Sequence, residues 1–306
     1  MPTGRQGSIH LFRYAGVDVF LHWSWFLVAL FEINARAGKY SSIAWNILEY
    51  LTLFLIVLLH ESGHALACRH VGGTANRIVL WPLGGVAYVD PPARPGATLW
   101  SIAAGPLVNV ALLPVLLVLF SVSQTAGWAD TMPNVHAYLR AILFIDAVLL
   151  VFNILPVYPL DGGQILRALL WFVMGRARSL LVATLFGFVG VVGLIVLAIR
   201  VGSVWFGILS VFILLNCWTG LKQAVVLLRL AKLPRRPGFA CPWCKAGPPV
   251  GNFWTCGNCK TIFDMFETHG VCPHCAAQFP VTRCLDCGRP YAMNDWSAAA
   301  FATAKG

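Results

Sequence analysis

LLHESGHALACRH, residues 58–70, follows directly on the apolar run YLTLFLIV of residues 50–57. A helix through both would be long enough to cross a bilayer, which takes about 20 apolar residues. Yet it carries His60, Glu61 and His64. An ionisable side chain at the centre of a span costs roughly 3 kcal/mol on insertion scales, and it faces the protein interior or a wet cavity rather than lipid. His60 and His64 are four residues apart and project from one face of a helix, where two imidazoles can hold one divalent ion. Glu61 lies beside them. H-E-x-x-H joins two metal ligands to a general base. The plainer alternative is two core histidines satisfied by neighbouring helices, and the cost of burial weighs against it.

The rest of the chain agrees with a membrane setting. Of its 306 residues 58% are hydrophobic and 11% charged, and the mean hydropathy is +0.73. This composition excludes an ordinary soluble domain and predicts an integral, multi-pass membrane protein in contact with lipid. The net charge of +10 is expected from basic cytoplasmic loops and does not point to nucleic acid. The apolar run from Val17 to Ile33 has no small-residue cleavage site and reads as a retained first span. Six spans are expected, near 17–35, 43–68, 98–121, 137–158, 179–200 and 204–228. The expected fold class is therefore an all-α, six-helix transmembrane bundle. Trp23, Trp25, Trp45 and Trp128 fall near span ends, where interfacial aromatics belong. An even number of spans puts both termini on one side. The arginines and lysines concentrate there, so that side is expected to be cytoplasmic.

Two apolar stretches are too broken for simple helices. Ile78 to Asp90 is β-rich, with Pro82, Gly84 and Gly85 at its centre, and is expected to be a hairpin or re-entrant loop packed on the bundle. Asn153 to Gly163 contains Pro156 and Pro159. Irregular backbone at membrane depth is tolerated only when buried in protein or lining a wet cavity, so this segment points to function.

A catalytic zinc takes a third protein ligand and keeps one position open for water. Asp161 fits best, at the end of the proline-broken segment and toward the same membrane side as His60 and His64. Glu49 and Asp146 compete less well, being placed toward the outer surface, where they would face water or each other.

HESGH together with N-x-x-P-x-x-P-L-D-G (Asn153, Pro156, Pro159, Leu160, Asp161, Gly162) resembles the site-2 proteases, which cleave their substrates within the membrane. Gly105-Pro-Leu-Val-Asn109, Val19-Phe-Leu-His-Trp-Ser24 and the loop Trp81-Pro-Leu-Gly-Gly-Val86 are similar to stretches of that family too, and the resemblance covers roughly residues 8–225. It implies that His60, His64 and Asp161 hold zinc, that Glu61 is the catalytic base, and that Asn153 positions substrate or the oxyanion. The substrate would be a transmembrane protein, cut in regulated intramembrane proteolysis. Because a helical peptide bond is shielded, the substrate must unwind, and the backbone of Ile78 to Asp90 offers an edge on which it could pair as a strand. The competing reading of that segment is a structural plug.

Cys68 and Cys217 fall in apolar helices and read as small buried hydrophobes. The other eight cysteines form four C-x-x-C pairs. Such knuckles suit two structural zinc sites in a double zinc-ribbon-like unit. Sequential pairing is simplest: Cys241, Cys244, Cys256 and Cys259 on one ion, and Cys272, Cys275, Cys284 and Cys287 on the other. A cross-braced arrangement is the alternative. The expected domains are a membrane metalloprotease part at 1–232, a linker at 233–238, the ribbon unit at 239–292 and a disordered tail at 293–306. Pro234 and Pro237 are expected to hold the unit off the bundle. With no dense basic run, the unit favours a protein partner over nucleic acid. A membrane zinc transporter or metal-sensing scaffold is the non-enzymatic alternative. It lacks a polar path across the outer leaflet, where only Glu49 and Asp146 are available.

Overall fold

The structure, a computed structural model, describes residues 7–35, 38–81 and 84–296. Pro82, expected at the centre of the first broken segment, lies outside them. The described chain opens with a hairpin, β1 (Ser8–Tyr14) and β2 (Val17–His22), turning through Ala15 and Gly16, both at positive φ. Two left-handed central residues match the right-handed twist of a tight hairpin. A short helix α1 (Ser24–Ala35) and a long helix α2 (Ile43–His70) lead to a second hairpin, β3 (Thr74–Trp81) and β4 (Gly84–Asp90). The four strands form one sheet in the order β1-β2-β3-β4, with β2 parallel to β3 and the other pairs antiparallel.

This corrects the expected first span. Val17 and Val19 are fully buried on alternate positions, packed with Ile78 and Leu80 of β3 against Val57, Ala65 and Cys68 of α2. The apolar run at Val17 therefore serves a strand, and hydropathy alone does not separate a short buried strand from a piece of helix. The helix that follows has 12 residues, roughly 18 Å at 1.5 Å per residue. Among the described residues, five helices are long and apolar enough to cross a membrane: α2, α3 (Pro95–Thr125), α5 (Pro133–Ile154), α6 (Asp161–Val201) and α7 (Val204–Ala231), with a single turn α4 (Trp128–Thr131) between α3 and α5. The protein is an integral, mostly helical multi-pass membrane protein with a sheet attached, not an all-α one. The segment from Ile78 to Asp90 takes the hairpin form, Ile78 pairing with Ala87 and Leu80 with Gly85.

Local chemistry sets the ends of these helices. The Ser42 hydroxyl accepts the Ala44 N–H at 3.2 Å and caps α2, while Arg69 and His70 in its last turn complement the helix dipole. Pro95 starts α3, where its missing N–H costs nothing. Gly175 breaks α6 with φ 78° and ψ 170°, so the expected span near 179–200 is the second half of a longer element that begins at Asp161.

Beyond α7 the ribbon unit carries two short hairpins, β5 (Trp254–Thr255) with β6 (Ile262–Phe263) and β7 (Val281–Arg283) with β8 (Pro290–Ala292). Its core joins Trp254, Phe263, Met265 and Phe266 to Trp296, which is 1% exposed. The ordered unit thus runs past residue 292, and the Trp296 carbonyl accepts the Ala240 N–H at 2.9 Å. The unit also touches the bundle. Arg176 of α6 donates to the Asp286 carbonyl at 2.8 Å, and Arg289 pairs with Asp90 at the end of β4. The two prolines end the last helix but do not keep the unit away.

Candidate functional site

Three elements meet around the histidines of α2. His60 Nε2 and His64 Nε2 are 3.1 Å apart. Asp161 Oδ2, at the start of α6, is 3.0 Å from the first and 3.3 Å from the second. The far side of each ring is already engaged. His64 Nδ1 donates to the Ser101 carbonyl of α3 at 2.9 Å. His60 Nδ1 lies 2.6 Å from Asn109 Oδ1, also on α3. The orientation of that amide follows from its other end, because Asn109 Nδ2 donates to Asp146 Oδ1 of α5 at 2.7 Å. The Asn109 oxygen is therefore an acceptor, and His60 Nδ1 carries the proton.

With both Nδ1 atoms protonated, both Nε2 atoms present lone pairs. They converge with a carboxylate oxygen in a site where the two histidines are 6% exposed. Three acceptors at hydrogen-bond distance repel unless a proton or a metal ion lies among them. Their spacing is close to the roughly 3.3 Å edge of a tetrahedron with metal bonds of about 2.0–2.1 Å. The donor set, two imidazoles and a carboxylate, also suits zinc. Gly105 of α3 closes one side: a Cβ there would lie 2.2 Å from His64 Nε2 and 2.8 Å from His60 Nε2.

Glu61, next to His60 on α2, reaches the sheet. Its Oε2 accepts the Ala87 N–H at 2.7 Å. Ala87 lies on β4, an edge strand, so the outer edge of the sheet faces this carboxylate. Gly85 gives room for it, since a Cβ there would meet Glu61 Cγ at 2.2 Å.

A model of peptidase family M50 matches residues 49–134 and 120–197. The chain belongs to peptidase family M50, the site-2 protease family. A zinc metalloprotease of Methanocaldococcus jannaschii is 36% identical over 180 residues, covering 59% of this chain and 50% of that protein. Rip3 of Mycobacterium tuberculosis is 30% identical over 229 residues, covering 68% of this chain and 57% of that one. The solved structure of a site-2 protease from M. jannaschii is 29% identical, with a TM-score of 0.49, over 70% of this chain and 95% of the other. The M50 chain spans about half the length of the curated relatives it matches.

Within this M50 chain the structure brings His60, His64, Asp161 and Glu61 to one place. Asn153, in the last turn of α5, is half-buried and makes no hydrogen bond to that cluster among the described residues. Asn109 holds His60 instead. Asp146 and Glu49 do not face water as expected. Asp146 is fully buried behind Asn109, and Glu49 is 4% exposed and accepts from Lys39 Nζ at 2.7 Å and from Tyr40. Sequence reasoning missed Asn109, Asp146, Ser101 and Gly105 as one shell. The available signal was a polar amide and a carboxylate in two apolar helices, each too costly to bury alone.

The eight cysteines of the C-x-x-C pairs lie beyond the M50 match and form two further clusters. Cys241, Cys244, Cys284 and Cys287 make one; Cys256, Cys259, Cys272 and Cys275 make the other. This corrects sequential pairing. The chain between Cys259 and Cys272 folds back around Phe263 and Phe266, bringing the two inner knuckles within reach, with Cys259 Sγ 3.6 Å from Cys272 Sγ. The first and last knuckles then meet, Cys244 Sγ lying 3.6 Å from Cys284 Sγ. Each site contains a thiol drawn down to about 5: Cys244 by its hydrogen bond with Cys284, and Cys259 by the Thr261 hydroxyl beside it. Asp264 organises the turn between them. Burial pushes its carboxyl up, but the N–H groups of Gly251 and Phe266 and the Arg236 guanidinium, at 2.9, 3.0 and 2.6 Å, outweigh burial and hold it below its ordinary value. That carboxylate stabilises the folded unit at neutral pH, a contribution lost progressively below about pH 4.

Proposed function

We propose that the protein is an intramembrane zinc endopeptidase that hydrolyses peptide bonds within or near transmembrane helices of membrane-protein substrates. The observation that carries this reading is the convergence of His60 Nε2, His64 Nε2 and Asp161 Oδ2, as free acceptors, beside a buried Glu61. Zinc bound there supplies an acidified water and polarises a carbonyl. Glu61 takes the proton from the attacking water on a carboxylate oxygen and returns it to the leaving amine. Asn109 and the Ser101 carbonyl keep the two rings in the ligating tautomer, as outer partners of metal-bound histidines do. Asn153, free of the cluster, is left to contact substrate or the oxyanion.

The β4 edge supports a role for residues 78–90 in binding substrate. An unwound segment paired there would lie alongside Glu61, which the Ala87 N–H already reaches. Unwinding is the costly step, and Gly and Pro in the substrate span lower it, since in a helix interior they cost about 1 and about 3 kcal/mol. Replacing them by Leu is expected to slow cleavage several-fold or more while binding persists. Equal rates for an all-Leu span would remove unwinding from the mechanism.

Two measurements test the metal site. Asp161→Ala is expected to lower zinc from about three ions per chain, one catalytic and two structural, to about two, because a third ligand is lost. Undiminished zinc would pass that role to another carboxylate. Asn109→Ala is expected to weaken zinc at the histidine site or slow turnover about 10- to 100-fold, the usual range for a lost outer partner. The reading as a whole is tested by incubating purified protein with a labelled transmembrane substrate. Cleavage that a zinc chelator abolishes supports it, and metal uptake into vesicles without cleavage would favour a transporter.

Although its 12 residues, roughly 18 Å, fall short of the bilayer core, α1 supplies the outward path on which α2 returns. It leaves the sheet at β2, and α2 returns to the sheet at β3, the neighbouring strand. The count of crossings is then even, and both termini and the ribbon unit lie on the cytoplasmic side, where the basic residues collect.

A further inference from the structure

The outer cysteine site meets the bundle through one knuckle. Arg289, two residues past Cys287, donates to the Asp90 carboxylate and, at 3.3 Å, to the Asp90 carbonyl. Its guanidinium lies 3.5 Å from the ring centre of Trp243, which sits between Cys241 and Cys244. Asp286, inside the knuckle, receives Arg176 of α6 on its carbonyl at 2.8 Å and both terminal nitrogens of Arg235 on its carboxylate at 2.6 and 3.1 Å. A single loop therefore joins β4, the second half of α6 just past its break at Gly175, and the linker. Arginine suits this task, because its planar fork can bond a carboxylate while its face stacks on an aromatic ring.

Asp90 is the last residue of β4, and Ala87 on the same strand gives its N–H to Glu61. An extended strand transmits a displacement along its length, so fixing Asp90 helps to fix Ala87. The loop is itself shaped by its cysteines. Cys284 and Cys287 belong to the outer cluster, facing Cys244 and Cys241 at 3.6 and 3.7 Å. A metal on those four thiols would tie the two knuckles together more firmly than the surrounding contacts do alone.

We propose that the Cys284–Arg289 loop positions strand β4 over Glu61, with Arg289 as the positioning residue, and that zinc in the outer cysteine site sets how firmly the strand is held. This rests on the protease reading for its consequence, but not for its physical test. The outer site then acts on the presentation of substrate rather than on the chemistry, and a cell short of zinc would lose the hold on β4.

The test is hydrogen exchange on the full chain in a bilayer, followed at the amides of residues 84–90. Asp90→Ala and Arg289→Ala are each expected to speed exchange about two- to five-fold, the range for a lost exposed charge pair. The reversed pair, Asp90→Arg with Arg289→Asp, is expected to recover part of that protection. Cys284→Ser is expected to give the same acceleration, with exchange around Cys256–Cys275 unchanged. In cleavage assays the single variants are expected to raise KM several-fold with little change in kcat. Unchanged exchange at 84–90 in both single variants overturns the proposal. So does a reversed pair no better protected than either single variant, since Arg289 would then serve only the ribbon. If the parent protein cleaves nothing, the protease reading fails while the exchange results still decide this one.

Discussion

Gly105→Ala is expected to empty the histidine metal site without altering a ligand. The added Cβ would fall 2.2 Å from His64 Nε2 and 2.8 Å from His60 Nε2, distances that close-packed interiors do not permit. The rings cannot simply back away, because each Nδ1 is held, by the Ser101 carbonyl and by Asn109. Either α3 shifts, at about 1–3 kcal/mol for an overpacked methyl, or the imidazoles turn out of register. Both outcomes spoil the convergence that a metal needs. Zinc is expected to fall to about two ions per chain, those of the two cysteine clusters, with cleavage lost and helix content by circular dichroism unchanged. A fully loaded, active Gly105→Ala protein would show that the site is elastic and that the close approach of α3 does not set its geometry.

Glu61→Gln separates the base from the metal. Glutamine has nearly the same shape, and its carbonyl oxygen can still accept the Ala87 N–H. The residue is not one of the three convergent acceptors, so zinc is expected to remain. What disappears is the ability to take a proton. A positioned general base contributes about 10²–10⁴-fold, and cleavage is expected to fall at least a hundred-fold. Equal activity in the variant and the parent would end the protease reading.

The lines of sequence that carried most information were those in which polarity and hydropathy conflict. His60, Glu61 and His64 could be read because ionisable groups in an apolar run demand a reason, and Asp161 because prolines break the helix before it. The same logic applies to Asn109 and Asp146, but a lone polar residue in a span offers no partner by inspection. Only the packing of α3 between α2 and α5 reveals that they stand in line behind His60. Val17–His22 misled for the opposite reason. A strand buried on one face and shielded on the other is as apolar as a piece of helix, and six residues hold too few turns for periodicity to decide. The nesting of the cysteine pairs was also out of reach, since spacing fixes the knuckles and leaves their partners to the core around Phe266.

That nesting imposes an order of assembly. The inner cluster closes over Cys259 and Cys272, 13 residues apart, whereas the outer one must bring together Cys244 and Cys284, 40 apart. The difference in loop-closure entropy is about 1 kcal/mol, and it vanishes in large part once the inner loop is already tied. Newly made chain should therefore fasten its inner knuckles first and its outer ones afterwards. The outer closure is also the one that meets the membrane part, so the last event in maturation of the cysteine unit coincides with its docking. A chain interrupted before that event would carry a half-built unit, already gripping one ion yet hanging free of the bundle, a species that limited proteolysis between Phe239 and Trp254 should reveal.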